Sequence, residues 1–468
     1  MTYPSPLGLN SPGNQHLYCL CLPRIVSIQS SSGNGFILFV MVNYLSNIRR
    51  NFTVSVESIG AQGDGVANGP EGRFYIPFGA PGDQLSITPG KRRGDGREAA
   101  ISTVIAASPD RIIPACRHFE TCGGCTLQHV AAARIAAEKK AMLIRALARR
   151  GLNDVPVAET VTVAPETRRR VRFAAHNGQA PAFGFRCRSS RFVMDLTECP
   201  VTRPSILAFA PALRALIANL PALGVSAEIS VTDSESGLDV LMAPSKQSEP
   251  SFAEREALAG FATRHDLARL SWDDGHGPEP IAARRDVTMR FGTATIALPP
   301  GAFLQPTAEG EAAIAGLVVS AIDGAARSRA DLFSGCGALS FPLLAGGTVH
   351  AFEGDSAMVD AARRATYPTA GRTVTADVRD LARDPLTTTE LNRFDAVVFD
   401  PPRAGAAPQT RELADSSVPT VVAVSCNPAT LSRDLRTLVD GGYRIDSATP
   451  IDQFAWSPHI EVVVVLRR

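Results

Sequence analysis

A cysteine, Cys426, stands at the end of an apolar run, Val421 to Val424, in the stretch VVAVSCNPATLSRDL, and Asn427 and Pro428 follow it directly. A buried strand that delivers a thiol into a polar turn and a helix start is where doubly wound α/β enzymes carry reacting groups. Such a cysteine can serve as a nucleophile that forms a covalent intermediate. A lone cysteine at a strand end is more often just a small apolar residue. Here it has company: Asp-Pro-Pro-Arg at 400–403 ends the preceding strand, and Glu461 opens the last one. Cys426 is therefore the candidate nucleophile.

A second group of thiols lies in CRHFETCGGC. Cys116, Cys122 and Cys125 are spaced C-x5-C-x2-C, and Cys199 follows much later in ECPV. Four thiolates suit zinc or an iron–sulfur cluster, since both take tetrahedral sulfur ligation at each metal. Zinc knuckles pair one CxxC with another, and only one is present, so the x5 spacing favours iron–sulfur. Cys187 is an alternative fourth ligand, but it stands between Arg186 and Arg188, whereas Cys199 precedes a proline at a turn.

A third pattern is DLFSGCGALS, a G-x-G without the third glycine of a dinucleotide fingerprint. Glu353 closes the next strand in HAFEGD, where a carboxylate can accept from both ribose hydroxyls, and Asp377 after the third strand can meet an adenine amino group. Adenosylmethionine has no pyrophosphate to cradle, so the missing glycine points to it rather than to NAD.

These residues need a scaffold, and length and composition bound it. The 468 residues suggest about three domains, and 45% hydrophobic content is ample for real cores. A net charge of +1 means that a nucleic-acid partner must be met by a local basic face. Nine cysteines are too sparse for a disulfide scaffold and fit a reducing cytoplasm. The apolar run Phe36 to Val42 is far short of the roughly 18 residues that span a bilayer. Residues 1–47 are expected to form a disordered extension, with Met41 an alternative start and Cys19 and Cys21 then irrelevant.

From Asn51 onward, short alternating strands punctuated by glycine predict a small closed barrel of roughly 55 residues. Lys91, Arg92, Arg93, Phe74, Tyr75 and Phe78 suit oligonucleotide binding, and equally an ordinary barrel with a solvated turn. Residues 128–150 predict a packing helix that stops at Gly151. Arg168 to Arg191 holds arginines 168, 169, 170, 172, 186, 188 and 191 and no acid, interleaved with Phe173, Phe183 and Phe185, a pattern for phosphate contact and base stacking. In the final third, strands near 330–333, 348–352, 373–376, 395–399, 420–425, 443–448 and 460–466 alternate with helical patterns and predict a doubly wound sheet.

Together CRHFETCGGC with ECPV, FLQ at 303–305, DLFSGCG, DPPRAG, SCNPATLSRDL and DQFAWSPHIE resemble the RNA (uracil-5-)-methyltransferases, over residues 51–468. The resemblance implies an α/β fold: a Rossmann-like class I methyltransferase domain with a seven-stranded, mostly parallel sheet at 303–468, an OB-like TRAM barrel at 48–107, and a mixed central domain at 108–302 carrying a 4Fe-4S cluster. It implies that Gln305, Phe333, Glu353, Asp377 and Asp400 hold S-adenosylmethionine, that Cys426 is the nucleophile and Glu461 the base, and that Cys116, Cys122, Cys125 and Cys199 hold the cluster. The implied enzyme is a cytoplasmic monomer acting on RNA, 23S rRNA ahead of tRNA. Departures occur at Ala338 and Thr307, where relatives often carry Asn, and at Ala455 and Ser457, where they carry Pro and Thr. A cytosine-5 methyltransferase would carry a cysteine where Pro402 stands, and a radical methylthiotransferase needs CxxxCxxC and a C-terminal barrel. The intact pair Cys426 and Glu461 argues against a non-catalytic RNA-binding protein.

Overall fold

The computed structural model describes residues 51–178, 181–368 and 372–468, so the expected extension at 1–47 lies outside the described residues. The first element is a six-stranded sheet built from Phe52–Ser55, Ser58–Ile59, Gly65–Gly69, Gly72–Ile76, Gln84–Arg93 and Gly96–Ala106. Its alternating pattern turns Val54, Ala67, Phe74, Ile76, Leu85 and Ile87 inward. The bent stretch from Phe52 to Ile59 closes it. Phe52–Ser55 pairs with 84–87, while Ser58–Ile59 pairs with 65–66 at the other edge, so this one stretch of chain joins both edges into an OB-like barrel. The buried carboxylate of Asp83 ties the barrel's exit together, accepting from Ala80 N at 2.7 Å, Ser108 N at 2.9 Å and Arg111 at 2.5 Å.

A second sheet of seven strands spans the central region, in the order Val193–Asp195, Ala182–Arg186, Arg170–His176, Ser226–Ser234, Gly237–Pro244, Arg269–Asp273, Pro278–Ala283. Helices Pro204–Ile217 and Phe252–Arg264 complete its core. The first helix starts on a proline at its N-terminus and buries Ile206, Phe209, Leu213 and Ile217; the second starts with a capping box of Ser251 and Glu254.

The third sheet has eight strands, in the order Val374–Val378, Thr348–Glu353, Ser328–Leu332, Ala396–Phe399, Thr420–Ser425, Glu461–Arg467, Arg444–Asp452, Val161–Thr162. The first five run parallel, and Glu461–Arg467 runs antiparallel to both of its neighbours. This is a doubly wound, Rossmann-like sheet with the seven expected strands. Ala396–Phe399 and Thr420–Ser425 are buried throughout, as a parallel sheet covered on both faces requires. The chain leaves Ser328–Leu332 toward one edge and returns at Ala396–Phe399 on the other side, which creates a switch point where ligands bind.

Two pieces reach this sheet from earlier in the chain. Val161–Thr162 supplies the eighth strand, parallel to Ile451–Asp452. The helix Ala132–Ala148 inserts Leu143 and Leu147 among Leu431, Leu435 and Leu438 of the helix Pro428–Asp440. It also touches the barrel, where Ile59 N donates to Glu138 Oε2 at 3.0 Å. Among the described residues no helix is long and apolar enough to cross a membrane.

Candidate active site

Antiparallel pairing assembles the centre of the site. Ser425 pairs with Val462, so one further step along each strand sets Cys426 opposite Glu461 at the open ends. Cys426 is half-buried and is separated by Asn427 from the helix Pro428–Asp440. Asn427 caps that helix by accepting from Ala429 N at 3.1 Å, and its Nδ2 donates to the carbonyl of Arg403 at 3.0 Å. Thr430 Oγ1 donates to the same carbonyl at 3.2 Å. The cysteine turn is thereby stitched to the Asp-Pro-Pro-Arg turn that follows Ala396–Phe399.

The charges at this meeting point oppose one another. Burial, then the carboxylates of Glu461 and Asp400, push the Cys426 thiol up to about 11, against the guanidinium of Arg403. Burial holds Asp400 at about 7. Glu461 is 4% exposed and sits well above the usual carboxylate range, chiefly because it is buried and then because Asp400 is near. Among the described residues its Oε2 has no hydrogen-bond partner. A buried carboxyl with a free oxygen beside a thiol is suited to taking up a proton.

Gln305 enters from the segment before the helix Ala308–Ala321, and its Nε2 donates to Asp400 Oδ2 at 3.3 Å. Phe333 follows the strand Ser328–Leu332 at the switch point with φ 62, a left-handed conformation that an aromatic residue rarely adopts. Glu353 ends the neighbouring strand and braces this turn: its Oε2 accepts from Gly335 N at 2.9 Å and its Oε1 from Asp355 N at 3.0 Å. Asp377, in register with Phe352, is exposed and already engaged by His350 Nε2 at 2.7 Å and Arg363 at 3.5 Å.

Cys116, Cys122, Cys125 and Cys199 line one small cavity together with His118, Phe119, Phe185 and Met194. Burial raises the first three thiols, Cys125 to about 12, and their closeness to one another and to Cys199 adds to it. Cys187 lies behind Cys122, which it faces in a single β-bridge, and does not line the cavity. Among the described residues no three His, Cys, Asp or Glu side chains converge tightly enough for one metal ion.

The sequence is similar to a set of known proteins over nearly its whole described length. A sequence model of the tRNA (Uracil-5-)-methyltransferase family matches residues 372–468. An uncharacterised RNA methyltransferase of Mesorhizobium japonicum is 45% identical over 415 residues, spanning 88% of this chain and 97% of that one. A 23S rRNA (uracil(1939)-C(5))-methyltransferase of Halomonas elongata is 32% identical over 439 residues and spans 88% of each chain. The chain belongs to the RNA (uracil-5-)-methyltransferase family. The crystal structure of the Pyrococcus abyssi tRNA (uracil-54, C5)-methyltransferase, solved with S-adenosyl-L-homocysteine, shares the fold: TM-score 0.70 at 22% identity, over 88% of this chain and 99% of that one.

In this methyltransferase the segment from Asp452 to Glu461 is held by residues that the sequence does not advertise. Lys139, on the helix expected to do no more than pack, is 1% exposed and reaches Asp452 Oδ1 at 2.5 Å, while the carbonyl of Trp456 accepts from Thr126 N and Leu127 N, both at 3.0 Å. The cysteine loop therefore abuts the segment that ends in Glu461. The barrel touches it too: a Cβ on Gly63, whose φ is +82, would lie 2.2 Å from Thr126 Oγ1 and 3.4 Å from Pro458. Lys139→Met should leave the Asp452 carboxylate buried without its cation and cost roughly 3 kcal/mol, read as a lower urea midpoint, with much of the loss recovered in Lys139→Met/Asp452→Leu.

The arginine-rich stretch is less basic in three dimensions than in the sequence. Arg169 is buried against Glu311 at 2.6 Å, Arg172 and Arg186 share Glu228 at 3.4 Å, and Arg188 pairs with Asp64 at 2.6 Å. Phe173 and Phe183 are core residues and offer no stacking face, a correction that follows from their inward position on adjacent strands. In the barrel Phe74 is likewise buried, and Arg93 covers the Tyr75 ring at 4.7 Å while pairing with Asp64 at 2.6 Å. One aromatic remains open near the site: Phe303 is 56% exposed, with the guanidinium of Arg170 at 5.2 Å from its ring centre.

Proposed function

We propose that this methyltransferase modifies carbon 5 of a specific uridine in RNA, with 23S rRNA as its substrate, through a covalent adduct between Cys426 and carbon 6 of the base. The register that sets Cys426 against Glu461 carries this reading. Carbon 5 of uracil is a poor nucleophile until a thiolate adds to carbon 6 and the ring becomes an enolate. Adenosylmethionine, when bound, supplies an electrophilic methyl group on sulfur. After transfer, carbon 5 bears both the methyl and its original proton. Glu461 takes that proton, the ring electrons return, and the bond to Cys426 breaks. Pro401, Pro402 and Arg403 would shape and polarise the uracil pocket.

Gln305, Phe333, Glu353, Asp377 and Asp400 would hold the cofactor. The Glu353 carboxylate, already fixed by two amides, keeps lone pairs for ribose hydroxyls. The target base must leave its stack, and Phe303 under Arg170 is a surface on which a base can stack. We read the barrel as a TRAM domain and place the enzyme in the cytoplasm as a monomer. Its described cysteines are all free thiols.

Cys116, Cys122, Cys125 and Cys199 fit a 4Fe-4S cluster better than one zinc ion. They surround a common cavity yet do not converge on a single point, and thiols this close can all ionise only around compensating metal charge. Protein purified without oxygen should be brown and carry iron and sulfide in equal amounts, and Cys122→Ser should lose the colour. Stoichiometric zinc in place of iron would overturn the assignment.

The choice of 23S rRNA rests on the Halomonas relative, at 32% identity across 88% of both chains. Labelled adenosylmethionine offered with unmodified 23S rRNA and unmodified tRNA tests it. Label should appear as 5-methyluridine at one site of the rRNA. Label in tRNA alone would move the substrate, and label in cytosine would remove the uracil chemistry.

A further inference from the structure

Gln453 is 4% exposed, and its carboxamide joins two parts of the site that the chain brings from far apart. Its Nε2 donates to Gln305 Oε1 at 2.7 Å, and Gln305 Nε2 donates in turn to Asp400 Oδ2 at 3.3 Å. On the other side Thr307 Oγ1 donates to Gln453 Oε1 at 3.4 Å while accepting from Gly310 N at 3.0 Å. The direction of this chain is determined by its ends. Asp400 in its ionised form only accepts, which agrees with Gln305 presenting its NH2 there and its oxygen to Gln453. Gln453 must then present its own oxygen to the hydroxyl of Thr307, whose lone pair is taken by a helix amide that can only donate. Neither amide can flip without breaking two bonds.

The fit around Gln453 is close. A Cβ on Gly310 would lie 2.3 Å from Gln453 Oε1 and 2.7 Å from Gln453 Cβ, so the helix can start there only because residue 310 has no side chain. The preceding residue, Asp452, is anchored by Lys139. Ile451, two residues before Gln453, pairs with Glu461, which brings the Gln453 amide to the Glu461 side of the site, where it favours the ionised carboxylate. The Thr307 hydroxyl is what orients Gln453.

We propose that Gln453 is a positioning residue that sets Gln305 for the cofactor and Glu461 for proton removal at the same time, so that cofactor binding and product release share one buried amide. The inference rests on the proposed function. It also makes a claim about cofactor affinity that stands apart from the choice of RNA.

Gln453→Met keeps the size of the side chain and removes both hydrogen bonds. The dissociation constant of S-adenosylhomocysteine, measured by calorimetry, should rise roughly three- to tenfold, the scale of one buried neutral hydrogen bond. In single-turnover reactions at saturating adenosylmethionine, methyl transfer should stay near the wild-type rate, while the methylated RNA–protein adduct on denaturing gels should decay several-fold more slowly. A residue that only fills space would leave both quantities unchanged in this variant, and that result would overturn the proposal. Should Gln453→Met melt early, Thr307→Val decides instead: it leaves Gln453 in place without its orienting donor and should shift both quantities in the same direction, and no shift would again overturn the proposal. Wild-type protein that binds S-adenosylhomocysteine but methylates no uridine would instead sink the proposed function, leaving the affinity arm to judge Gln453 alone.

Discussion

Cys426→Ala should abolish methyl transfer, with a loss of roughly 10⁴-fold or more in turnover, while S-adenosylhomocysteine binds within about twofold of wild type. The thiol sits between Glu461 and the Arg403 turn, not in the glycine loop braced by Glu353, so its removal takes the nucleophile away and leaves that loop intact. The reaction should also follow the thiolate. Burial and two carboxylates push the thiol to about 11, so only a small fraction is ionised at neutral pH. That fraction grows tenfold per unit of pH below the pKa, and the rate of adduct formation should climb steadily from pH 6 to pH 9. Single-turnover transfer of label, with the alanine variant alongside, measures both. Methylation that survives in Cys426→Ala would end the covalent mechanism.

Glu461→Gln should separate the two halves of the reaction. Methyl transfer needs the cysteine adduct and a placed methyl donor, whereas release needs a base, and glutamine keeps the size of glutamate without its basicity. A methylated RNA–protein adduct should therefore accumulate, with release slowed by roughly 10²- to 10⁴-fold. Denaturing gels with labelled adenosylmethionine would show a shifted band that vanishes in Cys426→Ala/Glu461→Gln. The wild-type enzyme should approach the same behaviour in acid. Burial and Asp400 raise the Glu461 pKa, so as the pH falls the carboxyl holds its proton and cannot accept another. Normal turnover without a shifted band would assign the base elsewhere, with His459, exposed two residues earlier, the first alternative.

What the sequence determined by itself was whatever is written in short windows. Val421 to Val424 is continuously apolar because a parallel strand covered on both faces must be, and Ala396–Phe399 was readable by the same rule. The cysteine spacing was readable because three of the four thiols lie within ten residues. Cys426 and Glu461 could be named from their places at strand ends, but only antiparallel pairing makes them neighbours.

Tertiary structure decided the remainder, through contacts that no local pattern carries. The strand Val161–Thr162 is two exposed residues long and exists because an edge at Ile451–Asp452 is there to pair with. Lys139 reads as one more cation on a polar helix face until a partner 313 residues away makes it a buried ion pair. The run of arginines lost much of its charge to Asp64, Glu228 and Glu311, which the fold brings from outside the window. Gln453 carries no signal at all, since an amide's role depends wholly on which donors and acceptors surround it. Periodicity encodes which way a side chain faces, and chain topology chooses what it meets there.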